Sequence, residues 1–124
     1  MESEKVQQAG KKDDSGKLRF DLIPEDALWE VARVYTIGAS KYDPWNWQGG
    51  IAYSRVVAAL RRHLSKWLMG ETLDQQDGQH HLSSVAWAAL TLLHYDLNKE
   101  RYTQFDDRRH GLWAPVWQSK SETK

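Results

Sequence analysis

The sequence contains no cysteine, which excludes both disulfides and thiolate-ligated zinc. It has no surplus of charge of either sign: Lys plus Arg and Asp plus Glu each number 17, so the net charge is zero with His neutral. A general binder of nucleic-acid polymers or of membrane surfaces needs a basic excess, so neither class of partner is expected. No window approaches the roughly eighteen apolar residues of a membrane span. The start, "MESEKVQQAGKKDDSG", has no apolar stretch and is not a signal peptide, so a cytoplasmic protein is the simple expectation. Common catalytic signatures are missing as well. There is no G-x-x-x-x-G-K-[ST], no glycine-rich dinucleotide fingerprint and no G-x-S-x-G elbow.

At 124 residues the chain is expected to form one domain. Residues 1–15 are polar and without period, and read as a mobile arm. A helical domain is expected over 16–98, and a tail over 99–124 that carries Phe105, Trp113 and Trp117. The first helix should open at Pro24, with Glu25 and Asp26 on its positive end and Gly38 as its exit. "KYDPWNWQGGIAY" reads as a loop, because Asp-Pro and Gly-Gly both break regular structure. Ser54 suits the N-cap of a second helix whose apolar face runs Val56, Val57, Leu60, Leu64, Trp67, Leu68, with Gly70 as its stop. A third helix places Leu82, Val85, Ala86, Ala89, Leu92 and Leu93 at helical spacing. No stretch alternates as a strand does. The predicted fold is all-α, with about three main helices, completed by packing between copies as a homo-oligomer (dimer or tetramer), since its tryptophans sit awkwardly in water.

"KWLMGETLDQQDGQHHLSSVAW" joins the second apolar run to the third, and within eleven residues it gathers Glu71, Asp74, Asp77, His80 and His81. Glu71 and Asp74 share a face if the last helical turn continues. Carboxylates clustered without compensating cations repel one another unless a divalent ion sits between them. Oxygen and imidazole donors together suit Mg²⁺ or Mn²⁺, with His shifting the preference towards transition metals. The plainer reading is that Asp77 caps the third helix and that His80 is solvated. His63 lies two turns before Glu71 on the second helix, and Arg61, Arg62 and Lys66 make a cationic strip beside it that suits phosphate. An ordinary solvated helix face explains the same strip. In the loop, Trp45 and Trp47 flank Asn46, so an indole could stack on a base while the amide reads its edge, or the indoles could pack on the helices.

The run "GKLRFDLIPEDAL", then "GASKY", "NW", "YSRVVAALRRHLSKWLMGETLD" and "GQHHL", resembles the phage dATP/dGTP diphosphohydrolase family, itself similar to the MazG-like all-α nucleotide pyrophosphohydrolases. The resemblance covers about residues 16–93. It implies metal-dependent hydrolysis of a purine deoxynucleoside triphosphate (dGTP, also dATP or GTP) between the α- and β-phosphates. It also implies a phage-infected host and, in phages that use 2-aminoadenine, a place in making that base. Carried over by position, the family's pattern falls on Arg62 and His63, on Gly70, Glu71 and Asp74, and on Gly78, His81 and Leu82. The family often has a His and an Asn where this chain has Ser84 and Ala88, and an acidic residue where Gln76 stands; Glu30 is a further candidate ligand. The resulting expectation is catalysis by His63, Glu71 and Asp74, with metal on Glu71, Asp74, Asp77 and His81. Substrate is expected on Lys17, Arg19, Tyr42, Asn46, Trp47, Arg62 and Lys66. A triphosphate-releasing hydrolase and a non-catalytic nucleotide-binding module are the alternatives.

Overall fold

Helix α1 (Glu25–Lys41) begins directly after Pro24, which caps it with extended backbone, and Glu25 and Asp26 face its positive end. It does not stop at Gly38. A glycine inside a helix costs only about 1 kcal/mol, and the Gly38 carbonyl still accepts the Tyr42 N–H at 2.9 Å. Asp43 precedes Pro44, and a residue before proline is driven out of helical geometry, so the exit falls there. The computed structural model describes residues 9–109; residues 1–8 of the N-terminal arm, and Trp113 and Trp117, lie outside the described residues.

Helix α2 (Tyr53–Leu68) starts one residue ahead of the expected Ser54 cap. Ala52 stands at the cap position and has no side chain to offer. The carboxylate of Asp107 does the work instead, taking the Ser54 N–H at 2.8 Å and the Ser54 hydroxyl as well. Those hydrogen bonds hold the Asp107 carboxyl below its usual range. The cap comes from 53 positions away, so no local motif announces it. Gly70 is left-handed (φ +101°) and ends α2 as expected.

Helix α3 (His81–Leu97) packs against both α1 and α2, and α4 (Lys99–Tyr102) adds one turn after it. Among the described residues there is no strand, only an isolated bridge between Leu73 and His80. The architecture is the all-α one that the periodicity predicted. The face that α3 buries is different, however. His81, Ser84, Ala88, Thr91 and Tyr95 are buried at three- and four-residue steps, whereas Leu82 and Leu93 of the expected apolar face are 36% and 53% exposed. A helix that is apolar on several sides has more than one stripe, and only its neighbours decide which one is covered.

The densest packing is aromatic. Tyr53 stacks on Tyr95 at 5.6 Å, and Tyr95 meets Tyr102 at 4.4 Å, with Leu92 and Phe105 against them. Burial pushes the Tyr95 phenol up to about 12, so it stays protonated and able to donate. Tyr102 and Phe105, beyond Asn98, thus belong to the same core as Tyr53.

Two glycines make opposite predictions. Gly50 has φ +107°, and a Cβ there would run into the Phe105 ring. Gly50→Ala should therefore lower the unfolding free energy by about 2–3 kcal/mol. Gly38 is helical with open space around it, so Gly38→Ala should raise it by about 0.5–1 kcal/mol. Urea unfolding of both variants checks the pair.

Candidate active site

The turn after α2 takes its shape from the helix exit. The Glu71 N–H bonds the Lys66 carbonyl at 3.0 Å and the Gly70 N–H bonds that of Trp67 at 3.0 Å, the paired closure of a Schellman motif. The chain then leaves the helix axis, so Glu71 and Asp74 do not share a continued helical face. They lie on a small loop closed by Asp74 N–H to Gln79 carbonyl (2.8 Å), Gly78 N–H to Asp74 carbonyl (2.8 Å) and His81 N–H to Thr72 carbonyl (3.0 Å). This pairing delays the start of α3 to His81. The helix is therefore capped by His80, whose Nδ1 accepts the Leu82 N–H at 3.0 Å, and not by Asp77. Asp77 turns back into its own loop and accepts the Gln79 N–H at 3.0 Å.

The loop sets a group of polar side chains between α2 and α3. His81 is fully buried, and its Nε2 lies 2.7 Å from Glu71 Oε1. Its Nδ1 lies 2.9 Å from Nδ1 of His63, which is itself 3.7 Å from Asp74 Oδ2. A carboxylate accepts and does not donate, so in the neutral ring Glu71 draws the proton of His81 to Nε2 and leaves a lone pair on Nδ1. The hydrogen of a neutral His63 ring, carried on Nδ1, or a cation can then lie between the two facing Nδ1 atoms. Burial, opposed by the Asp74 carboxylate, lowers the His63 pKa from its ordinary 6.5, which favours the unprotonated ring at neutral pH. Asp74 is 7% exposed; its Oδ1 takes the Gln76 N–H at 2.8 Å, which leaves Oδ2 for a cation.

His63, Asp74 and His81 present ligand atoms that all lie within 4.8 Å of one another. Two imidazole nitrogens and one carboxylate oxygen form a donor set that fits a first-row divalent ion, Mn²⁺ at its hard end, better than Mg²⁺, which prefers oxygen throughout. Glu71 sits behind His81, in the position of the carboxylate that orients a metal-ligating imidazole.

A cavity of about 220 Å³ opens beside this group, and His63, Asp77 and Ser84 form part of its wall. The opposite wall is the loop after α1, with Tyr42, Asn46 and Trp47, and the remainder includes Tyr35 and Trp87. Trp47 meets Tyr35 edge-on at 5.9 Å, and Tyr35 lies 6.2 Å from Trp87. Trp45, by contrast, is 66% exposed. The structure thus joins the expected base loop to the expected metal turn.

The expected cations are placed less uniformly. Arg62 and Lys66 are exposed on α2 on either side of His63 in sequence, and the Lys66 charge reaches His63. Arg19 is held by Asp21 through two hydrogen bonds of 2.8 and 2.7 Å, and neither it nor Lys17 lines the cavity. Glu30 pairs with Arg33 at 3.2 Å and borders a different hollow, with Asp26 and His80. Sequence reasoning missed Tyr35, Lys41, Asp43, Ser84 and Trp87 in the cavity wall. Ser84 and Trp87 follow His81 at three-residue steps, a signal legible in the sequence.

A family profile described as dATP/dGTP diphosphohydrolase, N-terminal, matches residues 7–108. A dATP/dGTP diphosphohydrolase of Salmonella phage PMBT28 is similar to the chain, with 35% identity over 106 residues, which is 86% of this chain and 35% of that relative. The chain therefore spans about a third of the relative's length. No solved structure matches it significantly. The aligned residues include the whole α2–turn–α3 unit and both walls of the cavity, and the chain belongs to the dATP/dGTP diphosphohydrolase N-terminal family.

Proposed function

We propose that the chain hydrolyses a purine nucleoside triphosphate, dGTP above all and also dATP or GTP, between the α- and β-phosphates. The observation that carries this reading is one of placement: His63, one of the His63–Asp74–His81 group, stands in the wall of an aromatic cavity. The name of the phage relative supports the substrate class. His63, Asp74 and His81 would hold a divalent ion, Mn²⁺ or Mg²⁺, with Glu71 fixing the ring of His81. Bound there, the ion would supply charge for the phosphate oxygens and acidity for a water.

The protein groups divide the remaining work. Trp47, Tyr35 and Trp87 offer ring faces and edges to a purine, and Asn46 offers an amide to its polar edge. Lys41 on the cavity wall, with Arg62 and Lys66 on α2, can meet the negative charge of the triphosphate. Asp77, on the wall with His63, is a carboxylate available to take a proton from the attacking water. Water adds at one phosphorus of the anhydride, the bridging P–O bond breaks, and the monophosphate, pyrophosphate and a proton result. A triphosphate-releasing hydrolase would use the same groups with a different bond cleaved, and a binding module would give no products, so product analysis separates the readings.

We also infer that the chain self-associates. Leu90, Leu93 and Leu97 follow one another along α3 and are 44%, 53% and 74% exposed, and Trp29 on α1 is 64% exposed. An apolar stripe of that kind is ordinarily covered by a partner. Among the described residues no helix is long and apolar enough to cross a membrane, so a second copy is the partner of choice.

The direct test is incubation with dGTP and Mn²⁺. dGMP and pyrophosphate should appear, and EDTA should stop the reaction. His81→Ala and Asp74→Ala should each lower kcat at least about a hundredfold, on the order of 3 kcal/mol of barrier. Near-normal turnover in both variants would remove the site from this turn. Acidity supplies a second test. His63 must be unprotonated to offer Nδ1, and its folded pKa lies below the unfolded 6.5. The unfolded chain therefore takes up the proton first, so the stability that His63 contributes is present above pH 6.5 and is lost as the pH falls through the folded pKa. Mn²⁺ affinity should fall over the same acid range, and thermal melts with and without Mn²⁺ from pH 5 to 8 measure both effects. For self-association, Leu93→Glu should lower the mass measured by light scattering; an unchanged mass would free α3 of that role.

A further inference from the structure

The wall of the cavity that faces the base is carried on residues 42–50, whose regular structure amounts to a single 3-10 turn, Asn46–Gly49. Such a segment keeps one shape only if other elements hold its backbone. Two of its carbonyls are held by buried phenols. The Tyr95 hydroxyl donates to the Trp47 carbonyl, which also accepts the Gly50 N–H at 3.2 Å. The Tyr102 hydroxyl donates to the next carbonyl, that of Gln48, at 2.6 Å. Tyr95 is 0% and Tyr102 1% exposed, and they come from different helices, α3 and α4. A third hold is steric, because Gly50 lies directly against the Phe105 ring. Behind the Trp47 indole, His94 packs edge-on at 5.2 Å.

Neither Tyr95 nor Tyr102 lines the cavity. A phenol whose only task is to fill a core need not converge with a second one on adjacent carbonyls of the same loop. Tyr53 supplies the internal comparison: it is buried in the same cluster, 5% exposed, and its hydroxyl makes no hydrogen bond to this loop. We propose that Tyr95 and Tyr102 are positioning residues that set the Trp47 wall against the substrate's base. The proposal rests on the nucleotide reading for the identity of what that wall contacts. Its physical core, loop anchoring by two buried phenols, does not depend on that reading. Tyr53 stacks on Tyr95, and the Tyr95 ring packs at a tilt on Tyr102, so ring packing orients both hydroxyls towards the loop.

The test compares Tyr95→Phe, Tyr102→Phe and the control Tyr53→Phe in the full chain. Hydrogen exchange followed by mass spectrometry should show faster exchange over residues 45–51 in the first two variants, with α1 to α3 unchanged, and no such change in the control. With dGTP and Mn²⁺, KM should rise about tenfold in the first two while kcat stays within about twofold and Mn²⁺ affinity is unaltered. A loop that exchanges as in the wild type, or an unchanged KM in folded variants, would overturn the positioning role. Should Tyr95→Phe fail to fold, Tyr102→Phe alone decides. A wild type inert towards dGTP would count against the nucleotide reading, while the exchange comparison would still decide whether the phenols anchor the loop.

Discussion

His81 has no contact with water, so both of its ring nitrogens must find partners inside the protein. One partner is the Glu71 carboxylate, from the loop before α3, and the other is His63, from the middle of α2. This single ring therefore ties the helix exit, the loop and the start of α3 into one arrangement. The backbone serves the same end, since the His81 N–H closes the loop on Thr72 while its side chain reaches into the polar group. A buried polar ring with a missing partner costs about 1–3 kcal/mol, so the loop around it is not free to drift. The left-handed Gly70 and Gly78 are what allow a chain of ten residues to make the two reversals this requires.

Helix α3 carries two kinds of contact along one buried face. At its N-terminal end the face is polar and chemical, with His81 and Ser84; at its C-terminal end it is aromatic, with Tyr95 against Tyr53 and Tyr102. The middle is Ala88, small enough to let α3 approach its neighbours closely, beside Thr91. The outward face, with Leu90, Leu93 and Leu97, is exposed. A helix with apolar residues on more than one side thus carries a polar cluster, a core and an exposed stripe at once. The loop of Trp47 is hydrogen-bonded to the aromatic end, and His63 and Glu71 meet His81 at the polar end.

Some features of this protein could be read directly from its residues. Helical spacing and the breakers Pro24, Asp43-Pro44 and Gly70 set an all-α chain with three long helices, because those effects act within a few residues. The acidic and imidazole content of residues 71–81 singled out that turn, and the family resemblance joined His63 to it, two helical turns away. What spacing could not tell was which groups meet. Asp77 looked like a cap and turned into its own loop; Ser54 looked like a cap and is held by Asp107; Arg19 looked free for phosphate and is held by Asp21.

Those outcomes depend on distances between residues far apart in the chain, and a hydrogen bond forms with whichever partner the fold brings within about 3 Å. Local periodicity carries no such information. The sequence by itself determined the helices, their breaks and the acidic and imidazole content of the turn. Only the tertiary structure decided that α3 buries its polar and tyrosine-bearing face, that Glu71 stands behind His81, and that two tyrosines hold the loop of Trp47. The reason is that burial and pairing are properties of neighbours, and neighbours are chosen by packing.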